Sequence, residues 1–275
     1  TTGGSIYFKG DSMRSLTING ATIRGNRAKD AGGIYVENAL VQIANTVISG
    51  NVAFNGNAGS IYSRNSTVEI INTTITGNMC GSQSTGGIYS ELSNIFLINS
   101  IVWNNESYNP IVLEGESNNL YVLYSDIDSD FSTISDLNED ITVTINGNTP
   151  LDADGIAASI INGDPNFNVS IDLDSMDDSP TTDGDFNISC YSPCINTGIQ
   201  DITIHNSVTN EQILSFASSD FTGDQPDMGR LESDALGGPC DIFGCTDEIA
   251  CNYDPAATAD DSSCNYAQEN YDCVG

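Results

Sequence analysis

The sequence predicts an all-β chain wound as a parallel solenoid, and three observations carry that expectation. A 27-residue step recurs without helical periodicity: Ile34, Ile61 and Ile88 keep it, and so do Asn51, Asn78 and Asn105. The composition has 7 Lys+Arg against 38 Asp+Glu and favours Ile, Asn, Gly and Thr, which suits short strands and tight turns. Within each unit, apolar and polar residues alternate, so every second side chain shares a face.

Each unit opens on a common marker: Gly3-Gly4-Ser5-Ile6-Tyr7, Gly32-Gly33-Ile34-Tyr35, Gly59-Ser60-Ile61-Tyr62 and Gly86-Gly87-Ile88-Tyr89. Three strands per turn fit the period. In the second unit they fall near residues 34–36, 40–43 and 47–49. Alternation then points Ile34, Val36, Val41 and Ile43 inward, with Ile6, Phe8, Val68 and Ile70 in the equivalent slots. Tyr35, Glu37 and Gln42 point outward. The paired glycines are expected to allow positive φ at the corners. The Asn repeated at one corner is expected to form an amide ladder between rungs.

Two outward columns follow from the same register. Lys9, Glu37, Arg64 and Glu91 share one slot with alternating sign, so each charge should sit beside opposite charges. Tyr7, Tyr35, Tyr62 and Tyr89 form a stripe. An exposed aromatic stripe is a candidate binding surface for sugars or another protein. The competing reading is self-stacking that holds the rungs in register.

On these residues the chain resembles a known group. G-G-I-Y followed by I-S-G-N at Ile48 or I-T-G-N at Ile75 resembles the right-handed parallel β-helix repeats of secreted bacterial surface proteins, among them the chlamydial polymorphic outer-membrane adhesins. Asp164-Pro165-Asn166-Phe167, Gly184-Asp185-Phe186-Asn187-Ile188 and Ser192-Pro193-Cys194-Ile195-Asn196-Thr197-Gly198 are similar to marks near the end of such helices. Asp227-Met228-Gly229-Arg230-Leu231-Glu232 is similar to their closing motif. The tail from Gly244-Cys245-Thr246-Asp247 through Ala250-Cys251-Asn252-Tyr253 to Asp260-Asp261-Ser262-Ser263-Cys264 resembles a Cys-rich module of very large proteins of gliding marine bacteria. Those proteins are commonly exported by type IX secretion. Ser262 stands where that module usually has Gly.

The resemblance implies a right-handed parallel β-helix with a small, disulfide-stapled, Cys-rich C-terminal module. Residues 1–125 would be the repeats, 126–234 decorated final rungs and a closing cap, 235–243 a linker and 244–275 the Cys-rich module. It further implies a secreted, extracellular, structural or adhesive part of a larger cell-surface protein. A filament or homo-oligomer, surface glycans and a target-cell surface are the implied partners. A repeat already under way at Thr1 and a Cys-rich motif begun at Tyr271 agree with a piece of something longer.

The net charge of −31 excludes nucleic acid as a partner and argues against anionic membranes. No apolar run is long enough to span a bilayer. The charge is uneven. The first 64 residues hold six cations against three acids, a net +3, which leaves Arg230 alone against 35 acids. Eight Cys suggest an oxidising compartment. Cys240, Cys245, Cys251, Cys264 and Cys273 are candidate staples of the tail, Cys190 and Cys194 could close a short loop, and Cys80 lies in a repeat turn.

Acid clusters occur at Asp126-x-Asp128-x-Asp130, Asp152-x-Asp154, Asp172-x-Asp174 and Asp183-x-Asp185. In the tail, Asp254, Asp260 and Asp261 are the leading candidates for a Ca²⁺ site, because alternate carboxylates on a turn can converge on a hard cation. The alternative is a solvated acidic surface that favours solubility. Enzymatic action is not expected, and no catalytic residue is assigned. The alternative, a polysaccharide lyase or hydrolase, would need a cation or His on the coil face, and only Arg230 and His205 lie beyond residue 64. His205, flanked by Ile204 and Asn206, matches no hydrolase marker.

Overall fold

In the computed structural model, residues 3–11, 14–81, 84–106, 109–115, 117–128, 141–145, 149–151, 159–175, 179–189, 191–206, 209–217, 221, 225–230, 243–255, 257, 259–260 and 262–266 are described. The chain forms two units, Thr1–Leu236 and Gly237–Gly275.

The first unit is a parallel β-solenoid of about four turns. Its first sheet stacks Ile6–Lys9, Ile34–Glu37, Ile61–Arg64, Ile88–Glu91 and Ile111–Glu114 in sequence order. The second stacks Ser15–Asn19, Leu40–Ala44, Thr67–Ile71, Asn94–Ile98 and Asn119–Leu123. The third runs from Thr22–Arg24 through Val47–Ser49, Thr74–Thr76, Ile101–Trp103 and Ser125–Ile127 to Ile160–Ile161. Every pairing in these sheets is parallel, and Tyr7 opposes Tyr35 as Tyr35 opposes Tyr62. The expected three strands per turn gain a fourth: Arg27–Ala28, Val52–Ala53 and Met79–Cys80 make a short ladder of their own. Two residues are too few to show a period of two in the sequence.

Alternation fills the coil as expected. Ile34, Ile61, Ile88, Val41, Val68, Ile95, Ile48 and Ile75 lie in one core and are fully buried. Like stacks on like along the axis, so each rung contributes a similar apolar burial and contacts mainly its neighbours.

The corners divide their work between two residue types. Positive φ falls to Asn38 and Asn65 at one corner, to Asn45, Asn72 and Asn99 at the next, and to Gly25, Gly50 and Gly77 at the third. The paired glycines serve a different purpose from the one expected. A Cβ on Gly32 would stand 2.5 Å from the carbonyl oxygen of Gly59, so glycine is needed for close rung-to-rung approach. The amide ladder is present and buried. Asn51 Nδ2 donates to Asn78 Oδ1 at 2.9 Å, and Asn78 Nδ2 donates to Asn105 Oδ1 at 2.9 Å.

Of the residues expected to finish and cap the coil, Ser125–Ile127 and Ile160–Ile161 extend its third sheet, and those from Ile171 to Gly184 lie along its side. Asn104 donates to the Ile171 carbonyl at 2.8 Å, Thr181 N–H to Gly50 at 3.0 Å, and the Arg24 guanidinium to the carbonyls of Asp183 and Gly184. This segment therefore passes successively earlier rungs as it advances. An antiparallel sheet follows, with Asp201–Asn206 between Ile141–Ile145 and Gln212–Ala217, and Thr149–Leu151 at its edge. Its Ile202, Ile204 and Leu214 pack on Ile71, Phe96, Ile98, Tyr121 and Leu123 of the second sheet. The outward slot there changes from Thr17, Gln42 and Glu69 to Phe96 and Tyr121, which tells which rungs are covered. Arg230 ends on early rungs, its N–H on Thr74 Oγ1 at 3.0 Å and its Nε on the Asn45 carbonyl at 3.3 Å.

In the second unit, Phe243–Gly244 pairs in parallel with Ala259–Asp260. A Cys245–Cys264 disulfide closes it, and Cys251 is also disulfide-bonded. Asn252 Nδ2 donates to the Ser263 carbonyl, and its Oδ1 accepts from Asn265 N–H. Ser262 has φ +64°, which gives the Gly usual at this place in the resembling module a backbone reason. Among the described residues no helix is long and apolar enough to cross a membrane.

Candidate functional site

The tyrosine column forms, but not as an exposed stripe. The rings of Tyr7, Tyr35, Tyr62 and Tyr89 stack with centroids 5.1, 4.8 and 5.1 Å apart. Each ring covers the face of the next, and Ala31 and Ala58 pack beside them. Tyr35, Tyr62 and Tyr89 are therefore buried at 5–9% exposure, and Tyr7 at 52% is the accessible ring. The self-stacking reading accounts for this column, each pair adding roughly 0.5–1.5 kcal/mol beyond burial.

The charged column lies two residues further along the same strands. Lys9 Nζ sits 2.9 Å from Glu37, and Arg64 Nε 3.4 Å from Glu91. Arg64 also opposes Glu37 in register. The Glu37 carboxylate, first through its hydrogen bond, raises the Lys9 pKa. The Tyr62 hydroxyl donates to Glu91 at 2.7 Å, and burial first, then that bond, holds the phenol far above its usual value. This column ties the aromatic stack to the charge ladder. With Glu114 opposing Glu91, its alternation stops at the fifth rung.

The tail acids are engaged in local turns. Asp260 Oδ1 accepts from Ser262 N–H at 3.2 Å, and Asp254 N–H donates to the Cys245 carbonyl at 3.0 Å. Asp247 accepts from Ile249 N–H and from the Tyr266 hydroxyl. Asp261 lies outside the described residues. Among the described residues, no three His, Cys, Asp or Glu are grouped to hold a metal ion. Cys190, Cys240 and Cys273 are likewise outside them.

Sequence reasoning missed the most perturbed acid among the described residues. Asp126 was read as one of a surface cluster, yet it is fully buried in the third sheet. The returning segment covers it: Gly163 N–H donates to Oδ1 at 3.2 Å, and the Cys194 thiol donates to Oδ2 at 3.2 Å. Burial raises the Asp126 pKa to about 7, against the lowering effect of those two donors, and the Asp128 and Asp164 carboxylates push it further up. Cys194 is a buried thiol and not half of a disulfide, which corrects the short Cys190–Cys194 loop. Burial first, then the Asp126 charge, holds the thiol in its protonated form. A buried protonated thiol is no nucleophile. Asp227, also buried, accepts from Asn196 N–H at 2.8 Å and adds to the same effect. The usable signal was register: Asp126 occupies the slot of Val47, Thr74 and Ile101, which lie against the returning segment.

His205 lies in the antiparallel sheet opposite Thr142 and Gln212. No family model, no curated protein and no solved structure matches the chain.

Proposed function

We propose that the chain is a structural and adhesive module of a large secreted cell-surface protein, a stiff segment without catalytic chemistry of its own. The observation that carries this reading is the continuity of the cross-rung ladders. Tyrosine rings and buried Asn amides each tie three or more successive rungs at the same positions, and ion pairs tie the first rung to the second and the third to the fourth. Such columns resist sliding between rungs, which suits a spacer under load. The disulfides of the Cys-rich unit favour an oxidising, extracellular setting. The acidic excess favours solubility at high local density.

A polysaccharide panel incubated with the purified chain, with and without Ca²⁺, tests the absence of catalysis. No new reducing ends or unsaturated products are expected. Turnover of any member would replace this reading with that of a carbohydrate-active solenoid.

A further inference from the structure

The corner between the first and second sheets carries a residue that the fold does not ask for. The left-handed slot there is filled by Asn38, Asn65, Leu92 and Gly115, with φ of 55°, 47°, 52° and 94°. Asn and Gly tolerate that conformation, and a γ-branched Leu does not. Leu92 gains little burial in return, since it is 45% exposed. It also interrupts a ladder. Asn65 Nδ2 donates to Asn38 Oδ1, but Leu92 offers Asn65 no amide on its other side. Strain at an exposed position with no packing return is the pattern found at binding sites.

The ladder breaks at a cavity. About 250 Å³ in volume, it is lined by Ala39, Leu40, Asn65, Ser66, Leu92 and Asn94, with Thr67 between them. Leu40 is also exposed, at 46%, so two leucine side chains flank the polar floor. Thr67 and Asn94 are register partners in the second sheet. Asn94 Oδ1 is occupied by Asn119 Nδ2 at 2.6 Å. Its Nδ2, the Thr67 hydroxyl and Asn65 Oδ1 find no partner among the described residues. One donor, one hydroxyl and one acceptor thus meet over a small apolar ledge, with no charged side chain in the lining.

We infer that this corner is a binding site for a neutral saccharide unit. Neighbouring hydroxyls on one ring can donate to Asn65 and accept from Asn94 together, while the C–H face rests on Leu40 and Leu92. The volume lies below the roughly 300–1,000 Å³ of sites for drug-sized ligands, which matches one ring and not a longer aromatic ligand. Arg64, next to Asn65, is paired at 3.4 Å with Glu91, next to Leu92, so these neighbouring charges offset and the −31 of the chain disfavours an anionic sugar. The inference goes beyond the structural role and does not depend on it.

Glucose, galactose, mannose and N-acetylglucosamine, with their short oligomers and glucuronic acid as the anionic control, would be titrated into the chain. The side-chain amide NMR signals of Asn65 and Asn94 are the readout. A neutral sugar should shift both signals saturably, and glucuronic acid should not. Leu92→Asn should raise the melting temperature by about 2–4 °C, as relief of strain in a unit of this size would, and weaken binding at least tenfold. Thr67→Val should weaken binding with the melting temperature held. A panel that shifts neither amide, or a Leu92→Asn protein that binds as well as the parent, would overturn the site.

Discussion

The coil and the segment that returns along it are held together in opposite ways. From Ile6 to Ile127 the same few contacts recur rung after rung, among them Tyr on Tyr, Asn on Asn and Ile on Ile. From Ser159 to Arg230 nearly every attachment is used once. Asn99 holds Ile199 by two bonds of 2.7 Å, Asp126 holds Gly163 and Cys194, and Arg24 holds Asp183 and Gly184. Repetition spreads stability over many similar steps, whereas the returning segment concentrates it in a few residues. One substitution should therefore lower the coil by a rung's share, but could release the segment while the coil stays folded.

The largest expected effect falls on the returning segment. Burial favours the neutral form of Asp126 and raises its pKa from 3.8 to about 7. A raised carboxyl pKa means that this stability is complete below pH 3.8 and lost as pH climbs to about 7. At 1.36 kcal/mol per unit the loss reaches about 4 kcal/mol. Urea midpoints at pH 4.5 and pH 8 should show it, and Asp126→Asn should remove most of the difference between the two. Equal pH dependence in both proteins would mean that Asp126 holds nothing.

Next is the coil. Asn78→Ala would strip donors from the carbonyls of Ile48 and Thr76 and an acceptor from Asn51 N–H, all buried. A loss of about 3 kcal/mol is expected from these unmade bonds, read as a lower denaturant midpoint with an unchanged slope. A loss under about 1 kcal/mol would show that the amide ladder is ornamental. Smaller still is Glu37→Lys, which places a cation between Lys9 and Arg64. Exposed pairs contribute little, so the melting temperature should fall by at most about 2–4 °C. A rise would contradict the charge alternation.

What could be read from the sequence follows the same division. The 27-residue step placed Ile34, Val36, Tyr35 and Glu37 in their slots, because identical rungs print their register in the chain. It gave the stacking partner of Tyr62 but not its burial, since cover comes from the neighbouring rings themselves. The returning segment left little trace. Its contacts with the coil join residues 35 to 185 positions apart, such as Tyr124 with Ser159 and Arg230 with Asn45, and no period marks them. Asp126 was hidden for a related reason: an acid among acids reads as surface until the covering residues are known. Phe96 and Tyr121, standing where Gln42 and Glu69 stand in earlier rungs, were the legible hint that something lies on that face.

Native-state hydrogen exchange tests the contrast most directly. Backbone amides of Ile61, Ile70 and Ile75 in the coil should open only at the highest free energy measured for the unit. Those of Ile188, Ile204 and Leu214 should open at a distinctly lower one, and the gap should widen from pH 5 to pH 8 as Asp126 ionises. A single free energy for both sets, unchanged across that pH range, would contradict the account and make the coil and its returning segment one cooperative body.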